Sequence, residues 1–511
     1  MKKRIAAEWE PAIGVMVAWP ASLPRALVRE LASDTQLYLL CADDDAVVAE
    51  AHETLERWGI DAEGVRYLRV PKGEDSTWPR DWGPQPLFDA DGTFKLLGPR
   101  YVYSTPFCGP EHDAPLTCAP WLDEPLSLDQ YECDGCEDAA AGEIARQLGV
   151  EFVKLPFAFT GGNVLTDGID SILSTEVLLL ENKFDGLSVE EYFDAVAEVT
   201  GMANYSVFSD YEDYSLQHVD CFLKVLDDHR LLVQRPPADH PLFERYERIV
   251  QEEIACAVNS YGKPWEILRV DTGVLADGES MAAYVNSLIL NTCVYVPQYG
   301  IPEDEQALEQ WRAAMPGYDV KGFTFVLDDE PEAYNPDGLY EGIGWDPGDV
   351  LHCRTRAVWD PGMLHIHVDT LDKEVPAADA HVLHATIKAY SGEALLPASY
   401  RRTTACAAKR RGKACRLRPR RRGKCTAPSC PAARPAPPTS TTWRRPTRRG
   451  ATRRCPAPPP SASTRSPSSN PAAQPSYEPI ERNLPCALNL ISSATTTCST
   501  TPTSPARSTW P

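Results

Sequence analysis

The sequence predicts an α/β fold, because segments with helical periodicity alternate with short runs of β-branched and aliphatic residues. Residues 44–60, DDAVVAEAHETLERWGI, place apolar side chains three and four positions apart, as an amphipathic helix does. Further helices of this kind are predicted at residues 139–150, 188–201, 243–262 and 303–315. Strands are predicted at residues 14–20, 175–181, 221–226, 230–234 and 286–300, and proline or glycine often closes the run.

Two regions of opposite charge divide the chain of 511 residues. Residues 1–400 carry a formal net charge of −43 and contain the alternating helices and strands, so we expect them to form the folded domain. Residues 401–511 contain 22 lysines and arginines, 19 prolines and two acidic residues, a composition that predicts disorder. A basic nucleic-acid-binding arm is one interpretation of this tail. A frameshift in a GC-rich gene is the favoured one, because arginine, proline and alanine have GC-rich codons.

The acidic charge of residues 1–400 repels nucleic acid and anionic membranes and suits cationic substrates. No apolar run reaches the length of about 18 residues that a membrane helix requires. The charged start MKKR is not followed by the apolar stretch of a secretory signal, so a cytoplasmic location is the default expectation.

Four cysteines in one polar segment leave an exported protein open as the alternative: Cys108, Cys118, Cys133 and Cys136. Disulfides are favoured over free thiols for these residues. A zinc site is the least favoured interpretation, because structural zinc sites usually pair two close cysteine doublets and only one doublet, CDGC, is present.

Cys353 lies between a histidine and two arginines in DVLHCRTRAV, residues 349–358. Positive charge on Arg354 and Arg356 would favour its thiolate form, so Cys353 is a candidate nucleophile. The alternative is a core cysteine on a strand whose arginines point outward.

Two short patterns combine histidine with aspartate. His218 and Asp220 alternate with Val219 in a β-like run, which predicts that both side chains share one face and one pocket. The stretch HIHVD at residues 365–369 repeats this alternation and is compatible with a metal site formed by His365, His367 and Asp369. Such short patterns arise easily by chance, and an exposed strand face is the favoured interpretation.

Six motifs, in this order, resemble those of the family of agmatine deiminases and bacterial peptidylarginine deiminases: AAEWEPAIGVMVAWP, WPRDWGP, GGNVLTDG, HVDCFLK, YVNSLILNTCVYVPQYG and LHCRTR. They span residues 6–370, approximately. The resemblance implies that residues 1–400 are a deiminase catalytic domain. It also implies a five-bladed α/β propeller, in which ββαβ units surround a pseudo-fivefold axis.

The resemblance implies a role for each matching residue. Asp81 and Asp220 match carboxylates that hold a guanidinium through charge-assisted hydrogen bonds, and Trp78 matches an aromatic wall for stacking. Cys353 matches the nucleophile that forms a covalent amidino-cysteine intermediate. His218 matches the group that protonates the departing ammonia and then deprotonates water.

Two asparagines also match positions of the family. Asn286 matches a polar residue close to the cysteine, and Asn163 is a candidate substrate-binding residue in a turn that also contains Asp167. No metal or organic cofactor is expected. The expected partner is a small molecule or peptide that carries a guanidinium, with no nucleic acid bound through the acidic core.

The substrate is less clearly indicated by the motifs. The stretch DPGDVLHCRTRAV lacks the GGGNIHC motif of agmatine-specific enzymes, and this absence and the cysteine-rich segment favour peptidylarginine deimination. Peptidylarginine-type members read a substrate carboxylate with arginines after a tyrosine-bearing strand, and the comparable stretch GPRYVYSTPFCG makes Arg100 a candidate reader, with Arg354 and Arg356 as the other candidates. The alternative is an agmatine deiminase that makes N-carbamoylputrescine for putrescine biosynthesis. A papain-like Cys/His/Asn hydrolase and a non-catalytic acidic protein that binds cations or peptides are alternatives of other classes.

Overall fold

The computed structural model describes residues 2–71, 77–101, 137–184, 186–209, 211, 218–325, 345, 350–368 and 385–392. The helices in this part of the chain are α1 (Arg25–Asp34), α2 (Asp45–Arg57), α3 (Pro79–Trp82), α4 (Glu137–Leu148), α5 (Val177–Phe184), α6 (Val189–Thr200), α7 (Phe243–Glu252) and α8 (Glu303–Ala314).

Nineteen strands accompany these helices in the described residues. The strands of the first half are β1 (Arg4–Ile5), β2 (Ala12–Ala18), β3 (Gln36–Ala42), β4 (Arg66–Val70), β5 (Gln85–Phe88), β6 (Phe94–Arg100), β7 (Glu151–Ala158), β8 (Leu165–Thr166), β9 (Ser171–Thr175) and β10 (Asn204–Phe208). The strands of the second half are β11 (Leu223–Val225), β12 (Arg230–Arg235), β13 (Glu266–Asp271), β14 (Leu288–Leu290), β15 (Cys293–Gln298), β16 (Asp319–Thr324), β17 (Thr355–Trp359), β18 (Leu364–Val368) and β19 (Ala385–Ala389).

Five sheets in the described residues share one arrangement, in which a first strand pairs antiparallel with a second and the second pairs parallel with a third. The strand triplets are β5-β6-β7, β8-β9-β10, β11-β12-β13, β14-β15-β16 and β17-β2-β3. β1 extends the first of them and β4 extends the last. A parallel pair needs a crossover connection, and each triplet has one or two helices between its second and third strands. The predicted α/β fold is confirmed.

Local sequence signals account for the ends of several helices. The Ser188 side chain accepts a hydrogen bond from the backbone of Glu191, whose carboxylate accepts one from the backbone of Ser188, and this capping box begins α6. Gly201 ends the same helix in the left-handed conformation, with φ of 73°, which glycine adopts without strain. Asp44 caps α2 by accepting from the backbone of Ala46 at 2.8 Å.

Three predicted elements have different boundaries in the structure. The run at residues 286–300, expected to form one strand, contains the two antiparallel strands β14 and β15. Residues 175–181 were expected to form a strand, but the strand is Ser171–Thr175 and the apolar run that follows it belongs to α5. A short apolar run has no period that separates a buried strand from a buried helix. The helix expected over residues 243–262 ends at Glu252, and a 3-10 turn, Ile254–Cys256, follows it.

The last of the five sheets joins distant parts of the chain. β17 pairs antiparallel with β2, so that Thr355 lies opposite Val17 and Ala357 opposite Val15. All five residues of β17 are buried. Cys353, two residues before this strand, is therefore positioned by a sheet that the N-terminal segment builds.

Residues 365–368 of the HIHVD stretch lie in β18, which pairs with β19, so the predicted strand is confirmed for these residues. The outward face carries Leu364 and Ile366, whereas His365 faces inward and contacts the Glu10 carboxylate at 3.0 Å. The exposed-face interpretation is therefore wrong for His365, because a buried acid pairs with it. Asp369 lies outside the described residues, as do the tail at 401–511 and the four cysteines at 108–136. No helix within the described ranges is long and apolar enough to cross a membrane.

Candidate active site

The motif residues lie on five loops, each of which immediately precedes the first strand of one sheet. Before β5 lie Trp78 and Asp81, before β8 lies Asn163, before β11 lie His218 and Asp220, before β14 lies Asn286, and before β17 lies Cys353. The sheets thus present polar side chains from equivalent positions, and the contacts below show which of them meet.

Cys353 is held between an amide and a carboxylate. Its side chain is buried, with Asn286 Nδ2 donating to Sγ at 3.2 Å and Asp220 Oδ2 lying 3.9 Å from the same sulfur. The other end of the Asn286 amide accepts from the backbone of His352 at 2.9 Å and of Cys353 at 3.4 Å. One asparagine therefore fixes both the backbone and the thiol of the candidate nucleophile.

The two arginines after Cys353 point to other elements of the fold. Arg354 donates to the carbonyl of Ser22 at 2.8 Å, and its guanidinium lies 5.7 Å from the ring centre of Trp345. Arg356 is fully buried and donates to the carbonyls of Pro84 and Arg80. The bonds of Arg356 connect β17 to the segment of α3, and the bond of Arg354 connects the Cys353 loop to the segment between β2 and α1.

Asp220 is bound by a histidine that the sequence analysis did not select. His352 Nδ1 lies 2.5 Å from Asp220 Oδ2, and both side chains are fully buried. Burial opposes ionisation of Asp220, but the hydrogen bond and charge of His352 outweigh it and hold the pKa of the carboxyl below its ordinary value. Asp220 is therefore an anion beside the thiol. It lies in the 3-10 turn Val219–Cys221 rather than on a strand, so the predicted strand at this position is wrong although the proximity of the pair is right.

Asp81 and His218 complete a cluster around Gly162. Asp81 Oδ1 accepts from the backbone of Gly162 at 2.9 Å and lies 3.5 Å from His218 Nδ1. A Cβ atom at Gly162 would lie 2.6 Å from Asp81 Oδ1, 2.8 Å from His218 Nδ1 and 3.2 Å from Asp220 Oδ2. These three side chains and Cys353 therefore converge, and we call Asp81, His218, Asp220 and Cys353 the active-site cluster.

His218 carries unused hydrogen-bonding capacity. Within the described residues neither ring nitrogen has a hydrogen-bond partner, and the side chain is 1% exposed. Burial lowers the pKa of His218 to about 4, and the negative charge of Asp220 offsets only part of that shift. The imidazole is therefore neutral near pH 7 and able to accept a proton.

Asn163 and Asp167 hold the loops in place. Both polar atoms of the Asn163 amide are engaged: Nδ2 donates to the Thr175 hydroxyl, and Oδ1 accepts from the backbone of Thr175 and of Val219. Asp167 accepts from three backbone amides in the turn between β8 and β9, at 2.9 to 3.1 Å. Asn163 thereby links the turn containing Gly162 to the turn containing Asp220.

Trp78 and Arg100 lie at the start of α3 and at the end of β6. Trp78 is half-buried and precedes the first residue of α3, three positions before Asp81. Arg100 is buried at the end of β6, beside Ala158 of β7, and not on one of the five loops.

A group of buried charged residues next to the cluster was not predicted from the sequence. Glu8 accepts from Lys224 Nζ at 3.1 Å and from the backbone of Ile289 at 2.8 Å, and it lies 3.1 Å from His352 Nε2. Arg80 donates to the carbonyl of His352 at 3.1 Å. We call Glu8, Arg80, Lys224 and His352 the support network, because it reaches the cluster through the contact of His352 with Asp220.

The residues that were not selected from the sequence lie within or next to the motifs, and this position was the signal that could have identified them. Glu8 lies in AAEWEP, Gly162 in GGNVLTDG and His352 next to the nucleophile. Burial opposes ionisation of Glu8, yet Lys224 and His352 hold its pKa well below the ordinary range. A charge of this kind is recognisable only when its distant partner is known.

Two groups of potential metal ligands occur in the described part of the chain. Asp220, Cys221 and Cys353 are buried, and Asp227, Asp228 and His229 are half-buried. In each group one ligand atom from each residue lies within 4.8 Å of the others. His365 belongs to neither group, and Asp369 and the side chain of His367 lie outside the described part of the chain, so the metal site of the HIHVD stretch stays a prediction.

The active-site cluster combines a thiol, a neutral imidazole and two buried carboxylates. Carboxylates bind a planar guanidinium through paired charge-assisted hydrogen bonds, and a thiol beside a proton acceptor is a nucleophile. This combination of side chains is suited to the hydrolysis of guanidino groups.

The family match agrees with this class. Residues 4–326 match the family described as Porphyromonas-type peptidyl-arginine deiminase, and the chain belongs to that family. It is accordingly a hydrolase that acts on the C–N bonds of guanidino groups. The matched range includes Asp81, His218, Asp220 and Asn286 and ends before Cys353, so the position of the thiol rests on the structure.

The relative and the solved structures that follow are named as agmatine deiminases. A Mycoplasma mycoides protein named "Putative agmatine deiminase" is 22% identical over 283 residues, which cover 51% of this chain and 72% of that protein. The structure of the agmatine deiminase of Enterococcus faecalis matches with a TM-score of 0.53 at 18% identity, covering 70% of this chain and 96% of that one. The agmatine deiminase of C. jejuni matches with a TM-score of 0.50 at 14% identity, covering 70% and 97%. At these identities the structural matches establish the α/β fold.

Proposed function

We propose that this protein hydrolyses the guanidinium of agmatine to a ureido group and ammonia, with Cys353 as the nucleophile. The observation that carries the proposal is the convergence of Cys353, Asp220, Asp81 and His218 from three loops on one buried point. No cofactor enters the reaction.

Asp81 and Asp220 hold the guanidinium. Asp220 is ionised beside the thiol, and Asp81 is oriented by the hydrogen bond that its Oδ1 accepts from the backbone of Gly162. Each carboxylate can accept two parallel N–H bonds from a planar cation, which orients the guanidinium carbon towards Cys353. Gly162 leaves room for that cation, since any side chain there would enter the space between the two acids.

His218 moves the protons. Because its pKa is lowered to about 4, it begins neutral and accepts the Cys353 thiol proton as Sγ bonds to the guanidinium carbon. It gives this proton to the departing nitrogen, the C–N bond breaks, and ammonia leaves an amidino-thioether on Cys353. His218 next takes a proton from water, which attacks the same carbon. The C–S bond then breaks, the sulfur recovers its proton, and the ureido product leaves.

The substrate assignment rests on charge. A peptidyl-arginine terminus needs a cation for its carboxylate, but Arg354 and Arg356 are bonded to backbone carbonyls and Arg100 lies at the end of β6. Residues 326–349, which directly precede the Cys353 loop in the chain, include eight acidic residues and no lysine or arginine. An acidic composition next to the candidate nucleophile in the sequence favours a substrate whose far end is cationic, as in agmatine. The names of the relatives support the same choice.

Peptidyl-arginine, the substrate that the sequence favours, is the second candidate, and the name of the matched family supports it. The test compares agmatine, free arginine and a peptide with C-terminal arginine, with ammonia and ureido product both measured. We expect the highest kcat/KM for agmatine. A clear preference for the peptide would overturn the substrate assignment.

The nucleophile is tested in the same assay. Cys353→Ala should abolish ammonia release, and Cys256→Ser, which changes a half-buried cysteine in a distant 3-10 turn, should not. Thermal stabilisation by agmatine without ammonia release from the wild type would identify a binding protein and contradict the proposal.

We also propose that the five sheets form the five blades of an α/β propeller with the active-site cluster at its centre. The repeated strand order supports this arrangement, as does the equivalent position of the site residues before the first strand of each sheet. An experimental structure in which the sheets do not surround the cluster would contradict it.

A further inference from the structure

A second thiol lies beside the candidate nucleophile. Cys221 Sγ is 3.6 Å from Asp220 Oδ1, Cys353 Sγ is 3.9 Å from Asp220 Oδ2, and one ligand atom from each of the three residues lies within 4.8 Å of the other two. All three side chains are buried. Asn286 Nδ2 approaches both sulfurs, at 3.6 Å from Cys221 and 3.2 Å from Cys353. The deiminase reaction uses only one of these thiols.

The spacing of these atoms fits a tetrahedral metal ion. Zinc binds thiolate sulfur at about 2.3 Å and carboxylate oxygen at about 2.0–2.2 Å, which separates neighbouring ligands by roughly 3.5–3.8 Å. The distances of 3.6 Å from Cys221 Sγ to Oδ1 and of 3.9 Å from Cys353 Sγ to Oδ2 are close to that separation. Because one ligand atom from each residue lies within 4.8 Å of the other two, the three ligands have to be drawn together by no more than about 1 Å.

We propose that Asp220, Cys221 and Cys353 form a binding site for a thiophilic divalent cation, Zn²⁺ above all, and that its occupation blocks the hydrolase. The binding part stands on the three side chains alone, whereas the inhibition rests on the proposed function. Zn²⁺ and two thiols give a dithiolate complex and two released protons, so no oxidant or reductant is needed. The carboxylate supplies the third ligand, and water occupies the open fourth position.

The surroundings suit such an ion. Asp220 Oδ1 faces Cys221 and Oδ2 faces Cys353, and the contact of Oδ2 with His352 orients the carboxylate between the two thiols. Two sulfurs select soft cations, and Mg²⁺ or Ca²⁺, which require oxygen ligands, should not compete. A bound cation would also stand where Cys353 and Asp220 meet the guanidinium, so metal and substrate exclude each other.

Cobalt titration of the full chain tests binding without reference to turnover. Reduced, metal-free wild-type protein is titrated with Co²⁺, and the thiolate-to-cobalt charge-transfer band and the visible d–d bands of tetrahedral cobalt are recorded. The other cysteines give a background common to every variant, so the informative quantity is the difference between variants. We expect Cys221→Ser and Cys353→Ser each to lose part of the charge-transfer intensity, and Cys256→Ser to retain all of it.

Inhibition is tested with ZnCl₂ against turnover. We expect the inhibitory Zn²⁺ concentration to rise at least about tenfold in Cys221→Ser and in Cys221→Ala, and to stay unchanged in Cys256→Ser. Each variant is compared with its own activity without metal, and circular dichroism verifies that it is folded. Equal zinc sensitivity in wild type and both Cys221 variants, or cobalt spectra that Cys221 does not affect, would overturn the proposal. A protein without deiminase activity that still gives the cobalt difference would refute the function and support the metal site.

Discussion

The active-site cluster and the support network are both buried and both charged, yet their hydrogen bonds differ. In the support network the Glu8 carboxylate accepts from Lys224 and from the backbone of Ile289, and also contacts His352. In the active-site cluster His218 has no hydrogen-bond partner among the described residues. A buried charge whose bonds are filled by the protein stabilises the fold, whereas a buried polar group with bonds to spare is ready for a substrate. Hydrogen-bond satisfaction, more than burial, distinguishes the role of Glu8 from the role of His218.

The largest effect is expected in the support network. Glu8→Gln would leave Lys224 charged, fully buried and without its ion pair, and we expect the free energy of unfolding to fall by about 3–5 kcal/mol. Denaturant unfolding measures this, with Glu63→Gln on the surface as control. Adding Lys224→Met to Glu8→Gln removes the orphaned charge and should recover part of the loss. A stable Glu8→Gln single variant would show that this pair does not support the fold.

The contrasting substitution lies in the cluster. Asp81→Asn removes one of the two proposed guanidinium carboxylates, so kcat/KM should fall by roughly a hundredfold, while the melting temperature should change little. Steady-state kinetics and thermal unfolding on the same preparation check both halves. Asp239→Asn, at an exposed position, is the matched control. Unchanged kinetics would mean that the guanidinium binds elsewhere.

A third substitution tests the space between the carboxylates. Gly162→Ala places a methyl group 2.6 Å from Asp81 Oδ1 and 2.8 Å from His218 Nδ1, so those side chains must move apart. We expect kcat/KM to fall roughly ten- to a hundredfold, since small displacements of reacting groups lower rates strongly. Gly64→Ala, whose added Cβ meets Asp61 Oδ2 at an ordinary 3.4 Å, should leave the rate unchanged. Equal effects of the two variants would place the cluster away from Gly162.

The smallest effect concerns pH. Because the pKa of His218 is about 4, it remains a base in mild acid, and kcat/KM should hold down to about pH 5. If the catalytic base were a histidine with the ordinary pKa, kcat/KM would already be lower by about tenfold at pH 5.5. The unfolded chain binds this proton more tightly, so His218 makes stability rise with pH between about 4 and 6.5, and His218→Gln should flatten that slope. An acid limb near pH 6.5 would contradict the neutral, buried imidazole.

The sequence was informative where a short segment carries its own signal. Helices such as α2 and α6 follow from periodicity and caps, and the alternation of helices and strands identified the α/β class. The resemblance in the motifs selected Asp81, His218, Asp220 and Cys353, which the structure brings together. His218 and Asp220 were selected partly for the wrong local reason, since they flank a 3-10 turn and not a strand.

What could not be predicted depends on contacts between distant residues. In the sequence, Lys224 and Glu8 look like ordinary surface charges. In the structure their charged groups lie 3.1 Å apart, and the lysine is fully buried. From the sequence, Arg354 and Arg356 were expected to lie beside the thiol. In the structure they donate hydrogen bonds to the carbonyls of Ser22 and Pro84. No period or motif encodes such pairings, because they are set by which loops the sheets bring face to face.

The pairing of β17 with β2 has a consequence for how the protein is made. A ribosome releases the apolar strand AIGVMVA early, but its antiparallel partner follows only after more than three hundred further residues. Until then the nascent chain has an unpaired strand edge that other strands can join. The same delay keeps the thiol out of reach of the carboxylates and the imidazole. We therefore expect translation products that stop before residue 355 to be inert as enzymes and prone to aggregation, so that quality control can remove them before any guanidine is hydrolysed.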